Sequence, residues 1–393
     1  MTQKIVIVAA QRTPIGSFSG SLSTLAAPKL AANAIKGVLF KTKLSPNLIQ
    51  EVYLGNVLQA GIGQAPAKQA AKFAGLPDEI PCTTVNKVCA SGMKAISMGA
   101  QAIKAGDREI VLCGGMENMS LVPHYTYLRT GVKFGNQTMQ DGLLKDGLIN
   151  VYDQQHMGVC GDLCATTHQI SREEQDAFAI LSYEKSIKAN HEGKFKEEIY
   201  PINYQDRKGN QITINEDEEF LNYKPEKFSQ LRSAFTKDGT VTAANASTLN
   251  DGAAALILMT ASKAKELDLK PLAEIIAYED VATQPELFTT APAKAIPAVL
   301  KKAKMTLEEI DCLELNEAFS VVGIANAKLL NIPLEKINLN GGAVSLGHPL
   351  GCSGARIVVS LIHVLKQQQA TYGLAAICNG GGGATAMIIK NIT

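Results

Sequence analysis

Three residues stand where their side chains could make and break bonds. Cys89 lies in TTVNKVCASGMKAISMGAQAIKAG, which reads as a short strand, a tight turn and a helix rich in small residues, with the thiol at the junction. A thiol at a helix N-terminus meets unpaired backbone N–H groups and the positive end of the helix dipole, which predicts a lowered pKa and a nucleophile. A buried structural cysteine fits the same local sequence. His348 sits among Gly and Pro in NGGAVSLGHPLGCSGAR, either as a base or as a turn histidine bonded to backbone. Cys378 ends a strand in ICNGGGGATA and is followed, after Asn379, by four glycines, Gly380 to Gly383. Such a run is costly in backbone entropy and answers a steric need. The candidates are an oxyanion hole built from backbone N–H groups, a phosphate-binding loop or a tight chain crossing. No nucleotide fingerprint supports the second, since GIGQAP at Gly61 lacks the third glycine.

The elements that must hold these residues alternate along the chain. Strand-like runs at Lys4 to Ala9, Glu51 to Val57, Glu109 to Cys113, Ala254 to Met259, Leu272 to Tyr278, Leu374 to Cys378 and Ala386 to Ile389 are separated by helix-length segments. Strands apolar on both faces predict an α/β fold whose sheets are covered by helices on either side. The two ends of the chain also resemble each other. LSPNLIQEVYLGNVLQ reads like MTLEEIDCLELNEAFS, CASGMKAI like GCSGARIV, and EIVLCGG like LAAICNGG, which lays Asn56 over Asn316, Ser91 over Ser353 and Cys113 over Cys378. Three matches in order predict a duplication. His348 lies shortly before the counterpart of Ser91, so in a duplicated scaffold it faces the region of Cys89.

Between the repeats, residues 119–249 change texture. A Gly-rich stretch, RTGVKFGNQTMQDG, is followed by a helix starting at the Ser171 to Glu174 capping box, with Phe178 and Leu181 beginning its apolar face. A polar, turn-rich run from Tyr204 to Lys237 closes the segment. This is an insertion suited to a substrate lid or cradle.

Composition narrows the function. With 38 Lys+Arg against 37 Asp+Glu, no basic groove for nucleic acid or membrane surface is expected. The N-terminus shows no signal peptide and no run is long enough to span a bilayer, which predicts a cytoplasmic protein. Eight cysteines are scattered without a secreted framework or a zinc pattern, so reduced thiols are expected.

VNKVCASGMKA, NEAF, NASTLNDGAA, GGAVSLGHPLGCSGAR and CNGGGGATA, in this order and spacing, resemble the motifs of thiolases over essentially the whole chain, and within that family the wording is closest to the acetyl-CoA acetyltransferases. The resemblance implies duplicated βαβαβαββ halves forming a layered α-β-α-β-α core: residues 1–118 plus 250–270, then 271–393, with 119–249 as an inserted loop domain for CoA and oligomer contacts. It implies two stacked five-stranded halves. It implies a reversible Claisen condensation of two acetyl-CoA to acetoacetyl-CoA and CoA, with the CoA thioesters as substrates and no cofactor or metal. Cys89 would be the acylated nucleophile, His348 its base and Cys378 the acid/base for the second substrate. Asn316 would hold a water that forms one oxyanion hole with His348, and the N–H groups of Cys89 and Gly380 would form the other. Leu148, His156, Met157, Leu231, Phe235, Ala243, Ser247, Phe288, Ala318 and Phe319 would line the CoA tunnel. A homo-oligomer, a tetramer, is implied, with the Arg129 to Gly142 arm between dimers.

The sequence departs from the family pattern at two places: Leu221 and Asn222 follow EEF where an Arg is frequent, and Phe288 stands where Met is usual. The alternatives are a broader-chain 3-ketoacyl-CoA thiolase, a ketoacyl synthase-like enzyme and a catalytically silent CoA- or lipid-binding protein. Ketoacyl synthases pair their cysteine with two histidines, whereas Asn316 occupies the NEAF position here. Retention of all three reactive side chains weighs against a silent protein.

Overall fold

In the computed structural model, which describes residues 3–205 and 209–393, the long strands are buried on both faces, and successive side chains enter different layers. The first half contains β1 (Ile5–Arg12), β2 (Gly16–Ser17), α1 (Ala27–Thr42), β3 (Glu51–Gly55), α2 (Pro66–Ala74), β4 (Cys82–Val85), α3 (Ser91–Ala105) and β5 (Ile110–Asn118). The inserted segment carries the small pairs β6 (His124–Tyr125) with β7 (Gln140–Asp141) and β8 (Ile202–Gln205) with β9 (Gln211–Ile214), and helices α4 (Met157–Thr167) and α5 (Arg172–His191). After β10 (Asn250–Thr260) and α6 (Ala261–Glu266), the chain builds β11 (Ala273–Ala282), α7 (Pro292–Ala303), β12 (Cys312–Leu315), α8 (Ser320–Leu330), α9 (Ala343–Leu346), α10 (Leu350–Gln368), β13 (Tyr372–Asn379) and β14 (Gly383–Asn391).

The period-2 pattern sorts side chains into layers. On β10, Ala253, Ala255, Ile257 and Met259 pack with α1 residues such as Leu30 and Ile35, while Ala254, Leu256 and Leu258 pack with Ile96 of α3 and Ile357 of α10. On β14, Ala386 and Ile388 face Ile296 and Val299 of α7, while Met387 and Ile389 join α3 and α10. Helices α3 and α10 lie against each other and touch strands of both halves. The result is an α-β-α-β-α succession with α1 and α2 on one outside and α7 on the other.

The strands of the two halves are joined edge to edge in the order β12-β13-β14-β11-β1-β10-β5-β3-β4, with β2 beside β10. The halves join where Val6 and Ile7 of β1 pair with Glu274 and Ala273 of β11. The duplication is visible in the pairing: β3 runs parallel to β4, and its counterpart β12 forms a single parallel bridge, Leu313 to Ile337, where a fifth strand would lie. Each predicted strand run falls on a strand, with β3 ending at Gly55 before Asn56 and Val57, and β5 extending beyond Cys113 to Asn118.

Ser171 and Glu174 make the reciprocal capping box at the start of α5. Phe178 is buried there, but Leu181 is exposed, because the helix rests on α8 and α9 through Phe178, Ser182 and Ser186 rather than through Leu181. Part of the polar run, residues 206–208, lies outside the described residues.

Candidate active site

Cys89 is presented by a turn closed on both sides. Lys87 N–H donates to Ser91 Oγ at 2.8 Å, Ser91 Oγ–H donates to the Val88 carbonyl at 2.6 Å, and Val88 N–H donates to Asn86 Oδ1 at 3.0 Å. The closure holds Val88 at φ +48°, a conformation that β-branched residues rarely adopt and that costs of order 1–3 kcal/mol.

His348 is fixed by its backbone and its ring. Its N–H donates to Asn250 Oδ1 at 2.9 Å, and Nδ1 lies 2.6 Å from Ser353 Oγ. Ser353 has one hydroxyl proton, which it donates to the Pro349 carbonyl at 2.9 Å. Its oxygen therefore accepts from Nδ1–H, and that tautomer leaves a lone pair on Nε2, which has no partner among the described residues. Gly347, at φ +103°, is required because a Cβ there would run into the Asn250 side chain.

The glycine run is the turn of the β13–β14 hairpin, with Gly381 and Gly382 in the left-handed region. It is a tight crossing, and it also aims backbone at the thiol: the N–H groups of Gly380 and of Cys89 itself both point at the Cys89 sulfur. These groups do not produce the lowered pKa that the helix position predicts. Burial pushes the Cys89 thiol up to about 11, outweighing both N–H groups. Burial, reinforced by Arg356, pushes His348 down to about 3. The resting pair is a thiol beside a neutral imidazole.

Cys89, His348 and Gly380 line one cavity of about 530 Å³. Leu148, His156, Met157, Phe235, Ala243, Ser247, Phe288, Ala318 and Phe319 line it with them. His156 stacks on Phe235 with ring centroids 4.5 Å apart, and both the N–H and Oγ–H of Ser247 donate to the Ala318 carbonyl. Leu231 does not reach the cavity. It follows a turn held to α5, where its carbonyl accepts from Arg172 Nη1 at 3.0 Å. Cys378 is fully buried behind the wall, beside Phe288, Phe319 and Met157, and burial and the neighbouring Cys89 both raise its pKa. Asn316 is 1% exposed, and neither polar atom of its side chain has a partner among the described residues.

Sequence reasoning missed Val88, Met119, Leu249 and Leu350 in the wall and Glu219 toward the insertion. Val88, Leu249 and Leu350 lie inside or beside the quoted motifs, so adjacency was the available signal. Leu221 is exposed and Asn222 alone of that pair lines the cavity.

Comparison with known proteins agrees over the full length. Residues 5–262 match the model of the thiolase N-terminal domain and residues 269–391 that of the thiolase C-terminal domain. The chain is 52% identical to acetyl-CoA acetyltransferase IA of Candida tropicalis over 99% of this chain and 97% of that one. It is 51% identical to the acetyl-CoA acetyltransferase of Schizosaccharomyces pombe over 99% of each. Among solved structures, the Bacillus anthracis acetyl-CoA acetyltransferase superposes with a TM-score of 0.97 at 38% identity, covering 100% of this chain and 99% of that one. The Ascaris suum Acat5 thiolase in complex with coenzyme A gives 0.94 at 43%, covering 99% and 100%. With both parts of the chain matched and relatives half identical along its length, the chain belongs to the thiolase family.

Proposed function

We propose that the chain is an acetyl-CoA C-acetyltransferase, catalysing the reversible condensation of two acetyl-CoA to acetoacetyl-CoA and CoA. The observation that carries this reading is the convergence of the Cys89 thiol, the free Nε2 of His348 and the Gly380 N–H in one apolar cavity, with Cys378 behind its wall. In the first half-reaction Nε2 takes the proton of Cys89 as sulfur attacks the thioester carbonyl. The developing oxyanion is held by the N–H groups of Cys89 and Gly380, His348 keeps the proton, and CoA leaves as a thiolate that takes the proton of Cys378. Because thioester exchange between thiols is nearly thermoneutral, the acetyl group stays activated. In the second half-reaction the Cys378 thiolate removes a C2 proton from the next acetyl-CoA. The enolate oxygen is held by Nε2–H of protonated His348 and by the Asn316 side chain, whose free polar atoms suit a bridging water. Carbon then attacks acetyl-Cys89, and Cys89 leaves as the thiolate and takes back the Nε2 proton of His348.

These side chains account for each proton, so the CoA thioesters serve as substrates and no cofactor is assigned. The bulk of Phe288 in the wall suits a short acyl group. In this reading residues 1–118 with 250–270 and residues 271–393 are the catalytic halves, and 119–249 cradles CoA. The 129–142 arm holds a tetramer together; Phe134 is fully exposed there and Met139 is 64% exposed. The Gibberella zeae relative is named as cytosolic, and no described helix is long and apolar enough to cross a membrane, which fits a cytoplasmic enzyme.

Thiolysis of acetoacetyl-CoA by CoA, followed at the 3-ketoacyl absorbance, tests the activity, and mass spectrometry of quenched enzyme tests the nucleophile. An inactive chain, or an acetyl group on another cysteine, overturns the reading. Light scattering of the native chain and of a 129–142 deletion tests the assembly: a tetramer that falls to dimers is expected, and a native monomer refutes it.

A further inference from the structure

We propose that Glu117, a buried carboxylate at the end of β5 in the first half, is a positioning residue for His348 in the second: it caps the N-terminus of α10 and so fixes the Ser353–His348 pair against Cys89. The inference rests on the functional reading above. The Glu117 carboxylate bonds Asn56, Val57, Leu58 and Gly351, all groups of the scaffold, so its reach to the chemistry is through α10.

Helix α10 begins after Pro349 without a side-chain cap of its own. An orphan N–H of its first turn, that of Gly351, donates instead to Glu117 Oε2 at 2.9 Å. The same carboxylate accepts from Asn56 Nδ2 at 2.6 Å, Val57 N–H at 2.9 Å and Leu58 N–H at 3.2 Å. All four partners are donors. A carboxylate serves them all, whereas an amide or a protonated acid would set N–H or O–H against N–H. Those four bonds oppose the burial that pushes Glu117 up to about 7.

Backbone packing makes the same joint independently. A Cβ at Gly55 would lie 2.7 Å from the Gly351 carbonyl, one at Gly92 3.0 Å, and one at Gly115 would overlap it. A Cβ at Gly351 would lie 2.6 Å from the Met116 carbonyl and 2.7 Å from Asn56 Cα. The first turn of α10 is socketed between β3, α3 and β5, with Glu117 as its polar contact. From that turn Ser353 orients His348, while Leu350 forms cavity wall.

The test is a double-mutant cycle in the full chain with acetoacetyl-CoA and CoA. Glu117→Gln is expected to remain folded by thermal melting and to lose ~10- to 100-fold in kcat, because small misplacements of a reacting group cost rate. KM should stay within ~3-fold, since ground-state binding is untouched. Ser353→Ala should behave alike, and the double variant should be no slower than the slower single, because both act through one imidazole. If Glu117→Gln does not fold, Glu117→Asp replaces it in the same cycle. Unchanged kcat in a folded Glu117 variant, a change in KM alone, or losses that multiply in the double variant overturn the proposal. Absence of thiolysis in the unmodified chain would instead remove the functional reading beneath it.

Discussion

An asparagine stands just beyond the end of the second main strand in each half, and the two have different surroundings. Asn56 follows β3 and spends its Nδ2 on Glu117. Asn316 follows β12, is equally buried, and keeps both side-chain polar atoms free of partners among the described residues. The repeat places Gly382 where the first half has Glu117, so the second half has no carboxylate to claim its asparagine. The cysteines diverge in the same way. Cys113 is packed under Gly99 in the central layer, whereas Cys378 lies beside Cys89 next to the cavity wall. The serines diverge less: Ser91 closes the turn of Cys89, and Ser353 orients His348. A duplicated scaffold thus sets where side chains stand, and the immediate neighbours decide which are structural and which are available for chemistry.

The cysteine pair gives the sharpest test. Cys378→Ala should still accept an acetyl group on Cys89 but lose condensation and C2 proton exchange by ~10²- to 10⁴-fold, the usual contribution of a general acid/base. Deuterium uptake into the methyl group of acetyl-CoA, measured beside the rate of Cys89 acetylation, separates the steps. Wild-type exchange in that variant would falsify the base assignment. Cys113→Ala, at the matching position, should leave turnover within ~2-fold and cost about 1 kcal/mol of stability, as ordinary core substitutions do.

For the asparagines the pattern should invert between rate and stability. Asn316→Ala is expected to lose ~10²-fold in kcat, the scale of a removed oxyanion-hole donor, with little change in the urea midpoint. Asn56→Ala should cost about 1.5–3 kcal/mol by removing a hydrogen bond to a charged group. Its turnover should fall by only ~3-fold, because Glu117 keeps the Gly351 contact that positions α10. Equal rate losses in the two would mean that Asn316 is structural as well.

The two helix N-termini can be compared through pH. Cys89 before α3 and His348 before α10 are both held neutral by burial, with the thiol at about 11 and the imidazole at about 3. Alkylation of Cys89 by iodoacetamide should therefore rise about tenfold per pH unit from pH 7 to 9, since only the thiolate reacts. A plateau beginning near pH 6 to 7 would reveal a preformed thiolate–imidazolium pair.

Much of this was legible in the sequence because it is local. The strand runs and the Ser171 capping box depend on residues near one another, and the quoted motifs located Cys89, His348 and Gly380, which the fold brings to one cavity. What was not legible depends on distant partners. The helix N-terminus favours the Cys89 thiolate, but tertiary burial is larger and has no local signature. Glu117 reads as one more residue of a strand until Gly351, 234 positions away, is seen beneath it. Leu231 was placed by resemblance alone, and its turn is directed instead by Arg172.

The smallest expected effect concerns the residues just before Cys89 and His348. Val88 and Gly347 both lie in the left-handed region, at φ +48° and +103°. Glycine suits that geometry, and valine is strained in it. Val88→Gly should release about 1–3 kcal/mol of strain. It should give most of that back through the greater freedom of an unfolded glycine and the loss of a side chain that packs beside Gly380, leaving a net change within ~1 kcal/mol. Turnover should fall by a few-fold at most, because Ser91 and Asn86 still close the turn. Gly347→Ala meets the Asn250 side chain and has no such compensation, so it should destabilise by ~2 kcal/mol or more, the scale of an incompatible backbone substitution. Urea unfolding of both variants checks the contrast. A Val88→Gly chain that loses as much stability as Gly347→Ala would show that valine is held in its conformation by favourable packing, and that the turn around Cys89 stores no strain.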